Sequence, residues 1–236
     1  MKIDATEIRH IEQAAAPRFD LYTGIHKALR AMMADTLLAL GRMDASDPLE
    51  RADVTDRVRA LLDACASHLR HENDFVHAAI EARCAGASAE LAHEHVEHGV
   101  RIAALADLVA QLGDPAADVQ FALQQRLYAE LSLFVAENFV HMRAEETRHN
   151  ALLWAHYDDG ELIAIHDALV GSIPPDEMMA IARWLVPALS PPERAGMLAD
   201  MRAKAPPPAF DAVLAVARPH LSDAEWTKLS IALDQR

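Results

Sequence analysis

From Ala116 to Asp159 the chain runs without a glycine or a proline, and its apolar residues recur at helical spacing. Leu127, Leu131, Phe134, Asn138, His141, Glu145 and, after one skipped position, Leu152 fall on a single stripe in alternating steps of four and three. That spacing predicts a long helix with the stripe turned toward a core. The stripe is unusual because it carries His141 and Glu145 one turn apart. An imidazole and a carboxylate pointing inward together are costly to bury unless something satisfies both. A metal ion would do so; a hydrogen-bonded His–Glu pair at a partly wet edge is the plainer alternative.

The same device recurs. A helix from Asp20 to about Arg42 presents Tyr22, His26, Leu29, Met33, Thr36 and Leu40, and Gly41 with the segment Asp44–Pro48 ends it. A second helix, to about Arg83, presents Leu61, Cys65, His68, Glu72, Phe75 and Ala79, so His68 and Glu72 repeat the spacing of His141 and Glu145. After a turn at Gly86 and Ser88, a third helix from about Ala89 to Leu112 presents Leu91, His95, His98, Ile102, Leu105, Val109 and Leu112, with Glu94 one turn before His98. Two independent stripes with the same inserted pair weigh against the plainer alternative. His71, His77, His93, His149 and His156 fall off the stripes and read as solvated or partner-bonded.

Short connections between amphipathic helices predict an all-α, up-down-up-down four-helix bundle. His26 and His68 are equidistant from residue 47, and Glu72 and His98 from residue 85, which matches both turns. His98 and His141 centre on 119 or 120, and His95 moves the centre only to 118, whereas the visible break is Gly113–Pro115. Either that turn extends to about Val119 or the fourth helix overhangs the bundle.

Composition agrees with helices: 52% hydrophobic, 5% aromatic and only 8 glycines. The net charge of −14, with no long basic run, argues against nucleic acid and anionic membranes as partners. No apolar leader and no apolar run of about twenty residues occurs, so a soluble, cytoplasmic protein is expected. Cys65 and Cys84, placed on one helix, are too far apart for a disulfide. Residues 1–17 read as a polar lead-in and 18–158 as the bundle. Residues 159–236 form a C-terminal extension of short helices at about 160–171, 176–188, 192–203, 208–217 and 222–234, punctuated by prolines. Ser222 with Glu225 matches a capping box. Trp184, Leu185, Met197, Phe210 and Trp226 read as core, and no chemistry is evident there.

Collected, the inward polar residues are His26, His68, Glu72, His95, His98, His141 and Glu145. Imidazoles with carboxylates suit first-row metals, namely iron, manganese or zinc, and two ions can share the carboxylates. In order along the chain, His26, His68-Leu-Arg-His-Glu72, Glu94-His-Val-Glu-His98 and His141-Met-Arg-Ala-Glu145 resemble the hemerythrin-like (HHE cation-binding) family over roughly residues 18–157. The resemblance implies a carboxylate-bridged site of two iron ions and the binding or sensing of oxygen, nitric oxide or peroxide, or iron handling. The oxygen-carrying members place two histidines four apart on the third helix and end in His-x-x-x-x-Asp. Here His95 and His98 are three apart, Glu94 is the four-spaced partner of His98, and Glu146 follows Glu145. His95, Glu94 and Glu146 therefore compete for the remaining ligand positions, with the stripe favouring His95. Two other readings stay open: a diiron oxidase or peroxidase of ferritin-like type, and a metal-free helical interaction protein. The ferritin-like type uses Glu-x-x-His, which no core stripe here carries. A metal- and oxygen-binding protein is favoured over an enzyme.

Overall fold

The computed structural model describes residues 18–113 and 119–234, so the lead-in expected at 1–17 lies outside the described residues. Every regular element described is a helix. Helix α1 spans Thr23–Arg42. Helix α2 spans Pro48–His71, passes through one turn of π-helix at Glu72–His77 and continues as Ala78–Arg83. Helix α3 spans Ala89–Gly113. Helix α4 spans Gln120–Ala144, has its own π turn at Glu145–His149, and continues as Asn150–His156. Residues 114–118, on which the expected third turn falls, lie outside the described residues.

Local chemistry sets these ends. Asp47 accepts hydrogen bonds from the backbone of Leu49 and Glu50, and Pro48 occupies the first turn of α2, where its missing N–H costs nothing. Gly86 turns the chain with φ of 82°, a conformation that disfavours residues with a Cβ, and the Glu81 carboxylate gathers the N–H groups of Gly86 and Ser88. On α1, a Cβ at Gly41 would stand 2.9 Å from the Tyr128 ring, so the glycine lets α4 approach.

Helices α1 to α4 close into a ring, each packed on its chain neighbours and α1 on α4. The interior is layered. Leu29, Met33, Leu61, Leu105, Val109, Leu127, Leu131 and Phe134 form one apolar layer. Tyr22, Val76, Ile80, Leu153 and Leu162 form a second. Each fully buried aliphatic side chain contributes about 1.5–3 kcal/mol. Between the layers, at the level of the π turns, the inward side chains are histidines and glutamates.

The remaining helices are α5 (Asp159–Ser172), α6 (Pro175–Ala188), α7 (Pro191–Lys204), α8 (Pro207–Ala217) and α9 (Asp223–Asp234), close to the expected spans. The expected box joins Ser222 and Glu225, and others cap α5 and α7. Residues from α6 to α9 share an apolar core around Val186, Leu198, Phe210 and Leu229. Of the side chains expected in it, Phe210 is buried, whereas Met197 and Trp226 pack on it half-buried. Trp184 instead meets the core of the first four helices, and Leu185 is half-buried. Buried Arg194 donates to the carbonyls of Val186, Pro187 and Leu189, satisfying acceptors that the end of α6 leaves without helical partners. Helix α6 lies along α1, and its Glu177 accepts from Ser67 of α2.

Candidate metal centre

Two histidine pairs face two carboxylates. At one corner, His26 Nε2 is 3.5 Å from Glu72 Oε1 and 3.5 Å from Glu145 Oε2, and His68 Nε2 is 3.2 Å from Glu72 Oε1. At the other, His95 Nε2 is 3.5 Å from Glu72 Oε2 and 3.3 Å from Glu145 Oε1. There, His141 Nε2 is 3.2 Å from Glu145 Oε1 and 2.9 Å from His95 Nε2. Each glutamate thus turns one oxygen to each corner. Helices α1 and α2 furnish the first pair of imidazoles, α3 and α4 the second, and α2 and α4 the carboxylates.

Five of the six are deeply buried, Glu145 at 0% exposure and Glu72 at 3%, and His68 is half-buried. Several are nonetheless unsatisfied: Nε2 of His26 and His68, both oxygens of Glu72 and Oε2 of Glu145 make no hydrogen bond. Buried polar atoms near one another but misaligned for hydrogen bonding are aimed at a common point rather than at each other. Ligands about 2.1 Å from an ion stand about 3.0–3.4 Å apart from neighbouring ligands, which matches the separations at both corners. The residues present therefore fit a metal ion at either corner.

The outer ring nitrogens are held from behind. His26 Nδ1 donates to Glu146 (3.1 Å), His95 Nδ1 to Asn73 (2.8 Å) and His141 Nδ1 to Glu94 (2.7 Å). Such bonds fix which nitrogen is left for a metal. Asn73 and Glu146 each follow one of the central glutamates and reach the histidine of the opposite hairpin. Arg30 also donates to Glu146 at 2.6 Å.

Electrostatics is strained without a cation. Burial, together with the negative charge of Glu145, pushes the Glu72 carboxyl up to about 8. Burial works on Glu145 in the same sense, but hydrogen bonds from His141 and His95 draw it well below the carboxylate range. Burial would lower His26 and His141, yet the carboxylates around them lift both to about 9. His68, desolvated and beside His26, is driven well down.

Of the residues singled out in the sequence, His26, His68, Glu72, His95, His141 and Glu145 converge. His98 does not join either donor set. It is buried, but its ring packs edge-on against His141, its Nδ1 makes no hydrogen bond, and Phe134 lies beyond it. Glu94 turns to the back of His141. His71, His93 and His156 lie off the core as expected, His71 half-buried toward Glu177.

His77 and His149 are a correction as to solvation, although His149 does have a bonded partner, the Tyr22 hydroxyl 3.0 Å from its Nδ1. Neither is solvated: they are 4% and 2% exposed, and with Glu145 they form a third set of donors. The π turns are the reason. Each inserts one residue into the helical repeat and rotates everything after it, so Val76, Ile80 and Leu153 are buried where the pattern pointed to Phe75, Ala79 and Leu152. The sequence signal was faint, a histidine shortly after the glutamate on both helices.

No helix among the described residues is long and apolar enough to cross a membrane. No curated protein and no solved structure matches the chain. The family model of the hemerythrin HHE cation-binding domain matches residues 19–153, more than half of the sequence and a span that contains every donor of the site. The chain belongs to the hemerythrin HHE cation-binding family.

Proposed function

We propose that α1 to α4 act as an up-down-up-down bundle holding two iron ions. His26 and His68 would hold one, His95 and His141 the other, and Glu72 and Glu145 would bridge them. Zinc or manganese would suit the same donors. The observation that carries this reading is the division of each buried carboxylate, one oxygen to each histidine pair. A pair of irons so held would supply binding of oxygen, nitric oxide or peroxide and the attendant redox change. The chain's own residues contribute the rest. Glu146, Asn73 and Glu94 orient imidazoles, and the apolar layers on either side exclude water. The unsatisfied buried atoms weigh against a metal-free interaction protein, because a polar network serving structure alone would pair them.

Iron per chain, counted on anaerobically reconstituted protein and checked by its optical spectrum, tests the reading. Two irons are expected. His68→Ala and His95→Ala should each lose about one, with Glu94→Ala keeping both but holding them about 10–100-fold more weakly. Loss of one iron on Glu94→Ala with none on His95→Ala would show that Glu94 is the ligand and overturn this assignment.

A further inference from the structure

We propose that His77, His149 and Glu145 form a third cation position, a loading station between the protein surface and the iron pair; this rests on the two-ion reading above. One donor atom from each of the three residues lies within 4.8 Å of the others. All three are buried, and neither ring nitrogen of His77 has a hydrogen-bond partner. A structural core histidine is expected to be bonded at least once, since each buried group left unpaired costs about 1–3 kcal/mol. The His77 ring is held by stacking on His95, with centroids 4.6 Å apart, and stands edge-on to His149 at 5.0 Å. The Tyr22 hydroxyl lies 3.0 Å from His149 Nδ1 and fixes that ring from behind, as Glu94 does for His141.

The position borders on a cleft through His149. A surface cleft of about 390 Å³ opens between the start of α3 and the end of α4, and His149 forms part of its lining. The exposed ion pair of Arg148 and Glu90 stands at its rim, and Ala87, Ala151 and Leu152 form its walls. Of the three donors only His149 lines the cleft, so an ion entering there meets it first and has a donor atom of His77 and one of Glu145 within 4.8 Å of it. Glu145 already turns its oxygens to the two corners, so the same carboxylate can pass an ion onward. Sharing that carboxylate also makes the third position the weakest once both corners are filled. Two imidazoles and a carboxylate select first-row divalent ions such as Fe²⁺, Co²⁺ or Zn²⁺ over Ca²⁺ or Mg²⁺.

Titration of the full metal-free chain with Co²⁺, followed by visible absorbance and calorimetry, tests this. The wild type should take up two tight equivalents and a third, weaker one. His77→Phe, which keeps a ring in the space, and His149→Gln should each lose the third, retain two, and fill the pair more slowly. Ala151→Trp touches no donor; it should slow filling by obstructing the cleft while leaving all three equivalents. Saturation at two in the wild type, with filling rates equal in every variant, overturns the station and leaves the pair standing. A third equivalent that survives both histidine substitutions also overturns it. A wild type that never reaches two overturns the pair and the station together.

Discussion

His26 and His141 are the residues at which protons and metal compete most directly. Burial alone would hold both imidazoles neutral, but Glu146 and Glu72 act on His26, and Glu145 and Glu94 on His141, and these carboxylates lift both to about 9. The sign follows from linkage. A histidine raised in the folded state stabilises the metal-free chain fully below about 6.5, and that contribution is lost as pH rises through about 9. At neutral pH an entering ion must displace both protons. Apparent affinity for Zn²⁺, measured against a chelator, should therefore climb through neutral pH and level only near 9, with protons released on loading. A plateau reached already at about 6.5 would mean that these imidazoles titrate as ordinary ones. The sequence made the six convergent side chains legible, because His-x-x-x-Glu on a core stripe has few uses. It was silent on Asn73 and Glu146 as partners of His95 and His26: Glu146 stands 120 residues from His26, and Asn73, although only one turn of the chain away from His95, lies off the inward stripe. His98 was misleading for a simple reason: facing the core and facing the donors are different conditions, and at its level the ring meets Phe134 and the side of His141.

At the scale of helices, the stripes, the turns before α2 and α3 and the five short C-terminal helices were readable from spacing, prolines and caps. The π turns were not. A one-residue insertion carries no local propensity, and the pattern here conceals it: Phe75 precedes Val76, Ala79 precedes Ile80, and Leu152 precedes Leu153, so an apolar residue is available in either register. Only packing against the opposite helices selects between them. The selection can be checked by mutation. Leu153→Ala removes a fully buried side chain and should cost about 2–5 kcal/mol in chemical denaturation, whereas Leu152→Ala, half-buried, should cost less than about 1.5 kcal/mol. Equal costs, or the reverse order, would restore the uninterrupted register and turn His149 away from the site.

Across the whole molecule, the later helices are bound to the first four at both ends. Arg18 joins Asp159 at 2.6 Å, Lys27 joins Glu193, and Trp184 of α6 packs into the larger apolar layer. The smaller layer is completed by Leu162 of α5. The interior of the first four helices is thus two oily compartments divided by a polar sheet of donors, and that division has a consequence for how the protein opens. Cooperative unfolding spreads through contiguous apolar contact. Stripped of metal, the donor sheet has repulsion and unpaired atoms in place of such contact, so it should act as a fault line. Native-state hydrogen exchange on the metal-free chain should then show Ala78–Arg83 and Asn150–His156 exchanging through a cheaper opening than the segments around Leu61 and Leu131. Bound metal should weld the two openings into one; a single opening energy in both states would mean that the compartments were never separate.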